Sequence, residues 1–268
     1  MGDDVGLDWG SSGDRRVSGA SWRFTGLEFQ VVWAQLGRDR LPYPLRFRPI
    51  ADTQDDLDRQ RRAAAASWAP RLTGTLDRHL AVLADPDVRV EVAGFAGRED
   101  GTRIRMHAGI RGDTATLAIQ LPGPDADSGG DVLAHGVDPE QIPNAIAAAL
   151  PVMSTGSRPA MRFRRSDLES GSGPLLVSAG STRIRDAALD LLRRPRTGIG
   201  EITAFAGAAY DSRPTTDGVG LHWLDFDGDG RYCLRETADI AVTPASGPRL
   251  AVEISALVAR IRARETVH

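Results

Sequence analysis

The sharpest metal-type spacing in the sequence is Asp225-Phe226-Asp227-Gly228-Asp229-Gly230, with Glu236 at the twelfth place. Three carboxylates at alternate positions, a backbone carbonyl and a final Glu are the donors with which an EF-hand loop surrounds calcium. That chemistry needs a helix on each side of the loop. Here Val219, Leu221 and Trp223 alternate with Gly220, His222 and Leu224 before it, and Tyr232 and Leu234 alternate with Arg231, Cys233 and Arg235 after it. Both flanks therefore predict strands, and Gly228 and Gly230 suit a hairpin connection that needs positive φ. In a strand Glu236 would lie roughly 20 Å from Gly230 at about 3.3 Å per residue, too far to close a cation site. The expectation is a β-hairpin, with no metal and no cofactor. A calcium-binding module built on Asp225, Asp227, Asp229 and Glu236 is the alternative.

Other reactive groups are fewer still. The sequence contains no lysine, so all 33 basic side chains are arginine, and neither a Walker phosphate anchor nor a Schiff-base lysine can form. GxSxG, HExxH and CxxC are absent. His79, His107, His135, His222 and His268 are scattered without ligand spacing, and the single Cys233 reads as a buried strand residue. Asp55, Asp56 and Asp58, near Asp52, fall in the first turns of one helix, where carboxylates complement the dipole. Arg194 and Arg196 are placed to cap the helix before them. No catalytic residue is expected and the protein reads as a non-enzyme that binds another protein, with an enzyme of unrecognised type as a further alternative.

Composition narrows the partners. With 33 basic against 36 acidic side chains and no basic block, binding to nucleic acid through phosphate neutralisation is not expected. Hydrophobic residues make up 41%, enough for a core. No apolar run approaches the roughly 20 residues of a membrane helix, and the Gly, Ser and Asp-rich stretch 1–20 lacks a signal-like apolar segment, so a flexible leader, no membrane insertion and a cytoplasmic location are expected.

The elements that must position these groups fall into two similar sets. Helices are expected at Thr25 to Leu36, where Thr25 and Glu28 have capping-box spacing, at Thr53 to Ala69 and at Thr75 to Ala84. Leu45-Arg46-Phe47-Arg48 alternates like a short edge strand, and strands are expected at Val88 to Val92, Arg103 to Ala108 and Thr114 to Leu121. A polar loop at Gly123 to Gly130 and a helix from Asp138 follow. Then the order repeats: Met161-Arg162-Phe163-Arg164, a helix at Ser181 to Arg193, and a strand near Ile199 to Phe205. Glu91-Val92-Ala93-Gly94-Phe95-Ala96-Gly97 matches Glu201-Ile202-Thr203-Ala204-Phe205-Ala206-Gly207. The offset is 109 residues between Pro86 and Pro195 and 110 between Phe95 and Phe205. Each half ends in a strand pair and an amphipathic helix, the last carrying Leu250, Ile254, Leu257 and Ile261. A half alone has too few strands to cover its helices, so both halves, about 21–155 and 156–268, are expected to share one antiparallel sheet in a single domain, 21–268.

The order of features resembles the EspG family, the specialised cytosolic chaperones of actinobacterial type VII (ESX) secretion. The resemblance rests on Leu27-Glu28-Phe29-Gln30-Val31-Val32-Trp33 with Leu36-Gly37-Arg38-Asp39-Arg40-Leu41-Pro42-Tyr43-Pro44-Leu45, on Gly220-Leu221-His222-Trp223-Leu224-Asp225 with Asp229-Gly230-Arg231-Tyr232, and on Val242-Thr243-Pro244-Ala245. It spans about Trp22 to Arg262. It implies an α+β fold, with a central mainly antiparallel sheet flanked by N-terminal and C-terminal helical bundles in a pseudo-two-fold internal repeat. It also implies a non-enzymatic activity: binding the PPE subunit of a PE–PPE heterodimer, keeping the pair soluble and directing it to export. The family's surface maps here onto the exposed sheet face, the loop Gly97 to Thr102 and the layer from Asp225 to Arg262. Arg103, Arg105 and Phe226 are the candidate partner-binding residues, because arginine and aromatics favour interfaces. Oligomeric state is left open.

Overall fold

The structure is a computed structural model that describes residues 19–97, 101–125, 128–164, 179–209 and 217–265. The expected leader therefore lies almost wholly outside the described residues, as do residues 98–100 of the 97–102 loop. Strands run β1 (Ser21–Phe24), β2 (Val88–Ala96), β3 (Thr102–Arg111), β4 (Thr114–Gln120), β5 (Val132–Val137), β6 (Met161–Arg164), β7 (Arg196–Ala206), β8 (Val219–Phe226), β9 (Arg231–Glu236) and β10 (Asp239–Pro244). The described α-helices are α1 (Gly26–Gln35), α2 (Gln54–Trp68), α3 (Gly74–Ala84), α4 (Ile142–Ala149), α5 (Ala179–Arg193) and α6 (Gly247–Glu265).

Among the described residues ten strands form one sheet in the order β1-β5-β4-β3-β2-β7-β8-β9-β10-β6, with every neighbouring pair antiparallel. Read inward from either edge, the sheet presents the same plan: one short edge strand, then a four-stranded meander taken from its last strand to its first. The meanders meet at β2 and β7, whose pairing centres on Val92↔Ile202. Two backbone bonds repeat across that centre, Gly97 N–H to Thr197 O and Gly207 N–H to Asp87 O, both 2.7 Å.

Local chemistry starts the helices where the sequence expects. Thr25 Oγ1 accepts from Glu28 N at 3.2 Å while Glu28 Oε2 accepts from Thr25 N at 2.8 Å, a complete capping box. Thr53 and Thr73 cap α2 and α3 in the simpler way, accepting from Asp56 N and Leu76 N. The Asp-rich loop is a hairpin turn with Gly228 at φ +63°. The edge strand of the first half is a correction. Leu45-Arg46-Phe47-Arg48 is extended but forms no ladder, and the strand at the station matching β6 is Ser21–Phe24. The alternation of 45–48 has another cause: Leu45 is buried among α1–α3, and the side-chain amide of Gln120 stands in for a strand, accepting from Arg46 N at 2.9 Å and donating to Arg46 O at 2.8 Å.

The pleat divides the core by parity. Val88, Val90 and Val92 of β2, Met106 and Ile110 of β3, Ile202 of β7 and Trp223 of β8 face one side and pack under α4 and α6 through Ile142, Ile146, Leu250, Ile254 and Leu257. On the other face two covers lie at opposite ends. Phe24, Phe29, Trp33, Trp68, Leu76 and Leu80 join α1–α3 to Ala118, Val132 and Ala134 of β4 and β5. Ala188 and Leu191 of α5 meet Leu224, Phe226, Tyr232 and Ile240. Between these covers, no second-face side chain of β2 or β3 belongs to a buried apolar cluster.

Candidate protein-binding face

The middle of the second face, between these two apolar covers, is built by the odd-numbered residues of β2, β3 and β7 and the even-numbered ones of β8, and much of it is buried. Its members are chiefly charged or polar: Arg89, Glu91, Arg103, Arg105, His107, Glu201, Thr203 and His222, with Phe95 and Phe205 among them. Phe95 is 39% exposed, and Arg103, Glu201 and Gly220 are exposed, whereas Arg89 and Glu91 are buried.

Arg89 organises the buried part. Its Nε donates to Glu91 Oε1 at 2.8 Å, and its Nη1 reaches the carbonyls of Ala206, Gly207 and Ala208 at 3.0, 2.9 and 3.1 Å. The guanidinium lies 4.3 Å from the centroid of Phe205. A buried ion pair persists only when such bonds satisfy its remaining donors. Burial pushes the Glu91 carboxyl up, against the opposing pull of Arg89. Across the centre, Glu201 stands between Ala93 and His222 in register, and Thr203 Oγ1 donates to its Oε1 at 2.6 Å. The Tyr43 hydroxyl is raised by burial first, then by the charges of Glu201 and Glu91. His107 is fully buried within this face; desolvation lowers it to about 4, although its Nδ1 lies 2.9 Å from Tyr43 O.

Of the three candidates read from sequence, Arg103 alone is exposed here, with its guanidinium 5.8 Å from the Phe95 centroid. Arg105 is a correction: the pleat turns it to the second face, yet it is only 6% exposed and already has an interaction partner. Phe226 is another. It sits at the end of β8 at 1% exposure, edge-on to Tyr232 with centroids 5.6 Å apart, as a core residue under α5 instead of a hairpin-tip anchor.

The Asp-rich hairpin has a structural use for its acids. Asp225 forms a bidentate pair with Arg231, at 2.7 and 2.8 Å, and Arg231 also donates to Pro151 O. Asp229 accepts from Ser157 N at 2.7 Å, Arg194 Nη1 at 2.8 Å and Tyr232 Oη at 2.9 Å. Desolvation would raise its carboxyl, but those bonds outweigh it and hold the group low. Glu236 lies opposite Ile240 far along β9. Among the described residues no group of three or more His, Cys, Asp or Glu side chains could hold a metal ion. The hairpin clasps the 151–157 segment. Arg194 thus serves the hairpin, whereas Arg196 does cap α5, donating to Leu192 O at 2.6 Å. Cys233 is buried, which pushes its thiol up to about 12 and leaves no thiolate for nucleophilic chemistry at neutral pH. No described helix is long and apolar enough to cross a membrane.

Sequence reading missed the Arg89–Glu91 pair and the exposed Glu201. The signal was present in Val88-Arg89-Val90-Glu91-Val92, because residues two apart on a strand share a face and charges placed so must either meet solvent or each other.

The family model described as the EspG family matches residues 25–256. Among solved structures, the chain is similar to EspG5, a type VII secretion system chaperone of Mycobacterium tuberculosis in complex with a PE25–PPE41 dimer. The TM-score is 0.58 at 17% identity, covering 89% of this chain and 96% of that one. HtdX of the same organism aligns with a TM-score of 0.18 at 11% identity, over 84% of this chain and 100% of its own, and no likeness of fold is read from it. No curated protein matches the chain.

Proposed function

Since the chain belongs to the EspG family, we propose that it is a chaperone of a type VII secretion system that receives a PE–PPE heterodimer through the PPE subunit, keeps the pair soluble and hands it on for export. The observation that carries this reading is the family match over 25–256, together with the exposed Phe95, Arg103 and Glu201 on the second face of the sheet. An interface that must later release its client is of standard size and mixed polarity, and the second face around Phe95, Arg103 and Glu201 has that mixture. Arg103 is a contact residue in this reading. The protein acts in the cytoplasm, without catalysis, as one domain from 21 to 268 made of two related halves. The sheet order read from either edge and the paired backbone bonds at Gly97 and Gly207 support the duplication.

Co-expression with PE–PPE pairs from the same genome tests the function. One pair is expected to become soluble only in the presence of this chain and to elute with it as a 1:1:1 complex. Pairs equally soluble without it, and none retained by it, would sink the reading.

A further inference from the structure

The centre of the second face contains one station twice, filled in two different ways. Three residues to one side of the Val92↔Ile202 pair, Arg89 lies opposite Phe205; three residues to the other side, Ile199 lies opposite Phe95. Two positions along from Arg89 is Glu91, and two positions along from Ile199 is Glu201. At the first station one guanidinium serves both neighbours: it pairs with Glu91 and stacks on Phe205, and those residues are 4% exposed each. At the second station the aliphatic Ile199 can do neither. Glu201 and Phe95 are consequently the exposed acid and the exposed ring of the face.

We infer that the partner docking on this face supplies the missing guanidinium, an arginine side chain that pairs with Glu201 and packs against Phe95 as Arg89 does with Glu91 and Phe205. This rests on the chaperone reading, since it names the chemistry of the client surface received there. Three observations support it. An exposed carboxylate at the middle of a docking surface would be buried unpaired by a neutral partner, and that is costly. Glu201 is pre-oriented by Thr203, whose hydroxyl holds one carboxylate oxygen at 2.6 Å. Space is kept open beside it: Gly220 is exposed, and a Cβ there would meet Thr203 Oγ1 at 2.7 Å and Glu201 Oε1 at 3.4 Å. Arg103, the other cation near Phe95, is in register with it on β3, the strand on the far side from β7, so it serves the ring and not the acid. Arginine suits the station better than lysine because only a planar guanidinium pairs with a carboxylate and stacks on a ring together.

The test uses the full chain and a PE–PPE heterodimer that the wild-type chain retains, with affinity followed by titration calorimetry. Glu201→Gln, a change at an exposed position, is expected to weaken binding at least about 10-fold. One arginine of the client, changed to Gln, should cause a similar loss, and the two changes together should add little to either alone. Ile199→Arg should also weaken binding, by supplying the guanidinium from within the sheet. If the wild-type chain binds the client and Glu201→Gln binds within about twofold of it, or no client arginine couples to Glu201, the inference is overturned while the chaperone reading stands. If the wild-type chain retains no client, the chaperone reading falls and the inference falls with it.

Discussion

The two faces of the same four central strands, β2, β3, β7 and β8, meet opposite physical demands. Under α4 and α6 the face is apolar to the point of removing side chains: Gly94 and Gly200 sit opposite each other so that the Trp223 ring can lie on bare backbone, and its indole N–H has no hydrogen-bond partner. On the reverse face, one residue along each strand, charge is brought inside and satisfied internally by Arg89. A sheet with period two can hold both arrangements only if register is fixed, because a one-residue slip would exchange them. That is how the second face can bury charge without loosening the fold.

The largest expected effect tests the buried charge. Arg89→Leu leaves Glu91 buried without its cation and removes the donor to three carbonyls, and is expected to cost about 3–5 kcal/mol in urea unfolding. Adding Glu91→Gln should recover part of that loss, since the uncompensated charge goes while the orphaned carbonyls remain. A cost below about 1 kcal/mol for the single change would show that the two faces do not differ as described.

Next comes His107, buried within the second face beside Glu91. Its pKa is lowered from 6.5 to about 4, chiefly by burial. The folded state keeps it neutral while the unfolded chain protonates near 6.5, so the unfolded state binds more protons between those values. Stability is therefore full above about pH 6.5 and is lost as pH falls towards 4, by about 3 kcal/mol in all. Burial also lowers His79 and His135, which act in the same direction. Denaturant midpoints at pH 7.5 and pH 5 should fall more steeply for the wild type than for His107→Gln. Parallel slopes for the two would remove His107 as the cause.

Gly200→Ala probes the apolar face. A Cβ there would lie 2.0 Å from Trp223 Cη2 and 2.5 Å from Ala93 O, so the ring must move out of its packed position. About 1–3 kcal/mol of destabilisation is expected, with a shift in tryptophan fluorescence. An unchanged midpoint would mean that the glycine floor is not required.

Much of this contrast was legible from residue order. The strand alternations, the Thr25–Glu28 cap and the recurrence of Glu91-to-Gly97 at Glu201-to-Gly207 all follow local rules, and the structure places those segments as helix starts and central strands. Outer elements were less legible. β1 is four residues long, β5 contains Gly136 and β10 ends at Pro244, so none carries a strong pattern of its own; their strand character comes from neighbours distant in sequence. The string Leu45-Arg46-Phe47-Arg48 misled for the complementary reason, because an extended loop that buries alternate residues has the periodicity of a strand without the ladder. The face itself was hidden because burial of Arg105 and exposure of Glu201 depend on which strands have covers, which no local window contains.

The smallest expected stability effect is the most direct discriminator between the two stations. Glu91 and Glu201 have the same residue type, opposite places about one strand pair, and different company. If Glu91 is structural and Glu201 is held ready for a partner, Glu201→Gln should change unfolding free energy by no more than about 0.5 kcal/mol, since exposed substitutions away from buried networks rarely do more. The hydrogen bond from Thr203 survives the change through the retained side-chain carbonyl. Glu91→Gln should cost more, because the Arg89 guanidinium then stays buried without its counter-charge. Matched urea titrations of the two variants decide it. Equal losses would place both carboxylates in the fold's own stability and leave the second face without a carboxylate reserved for binding.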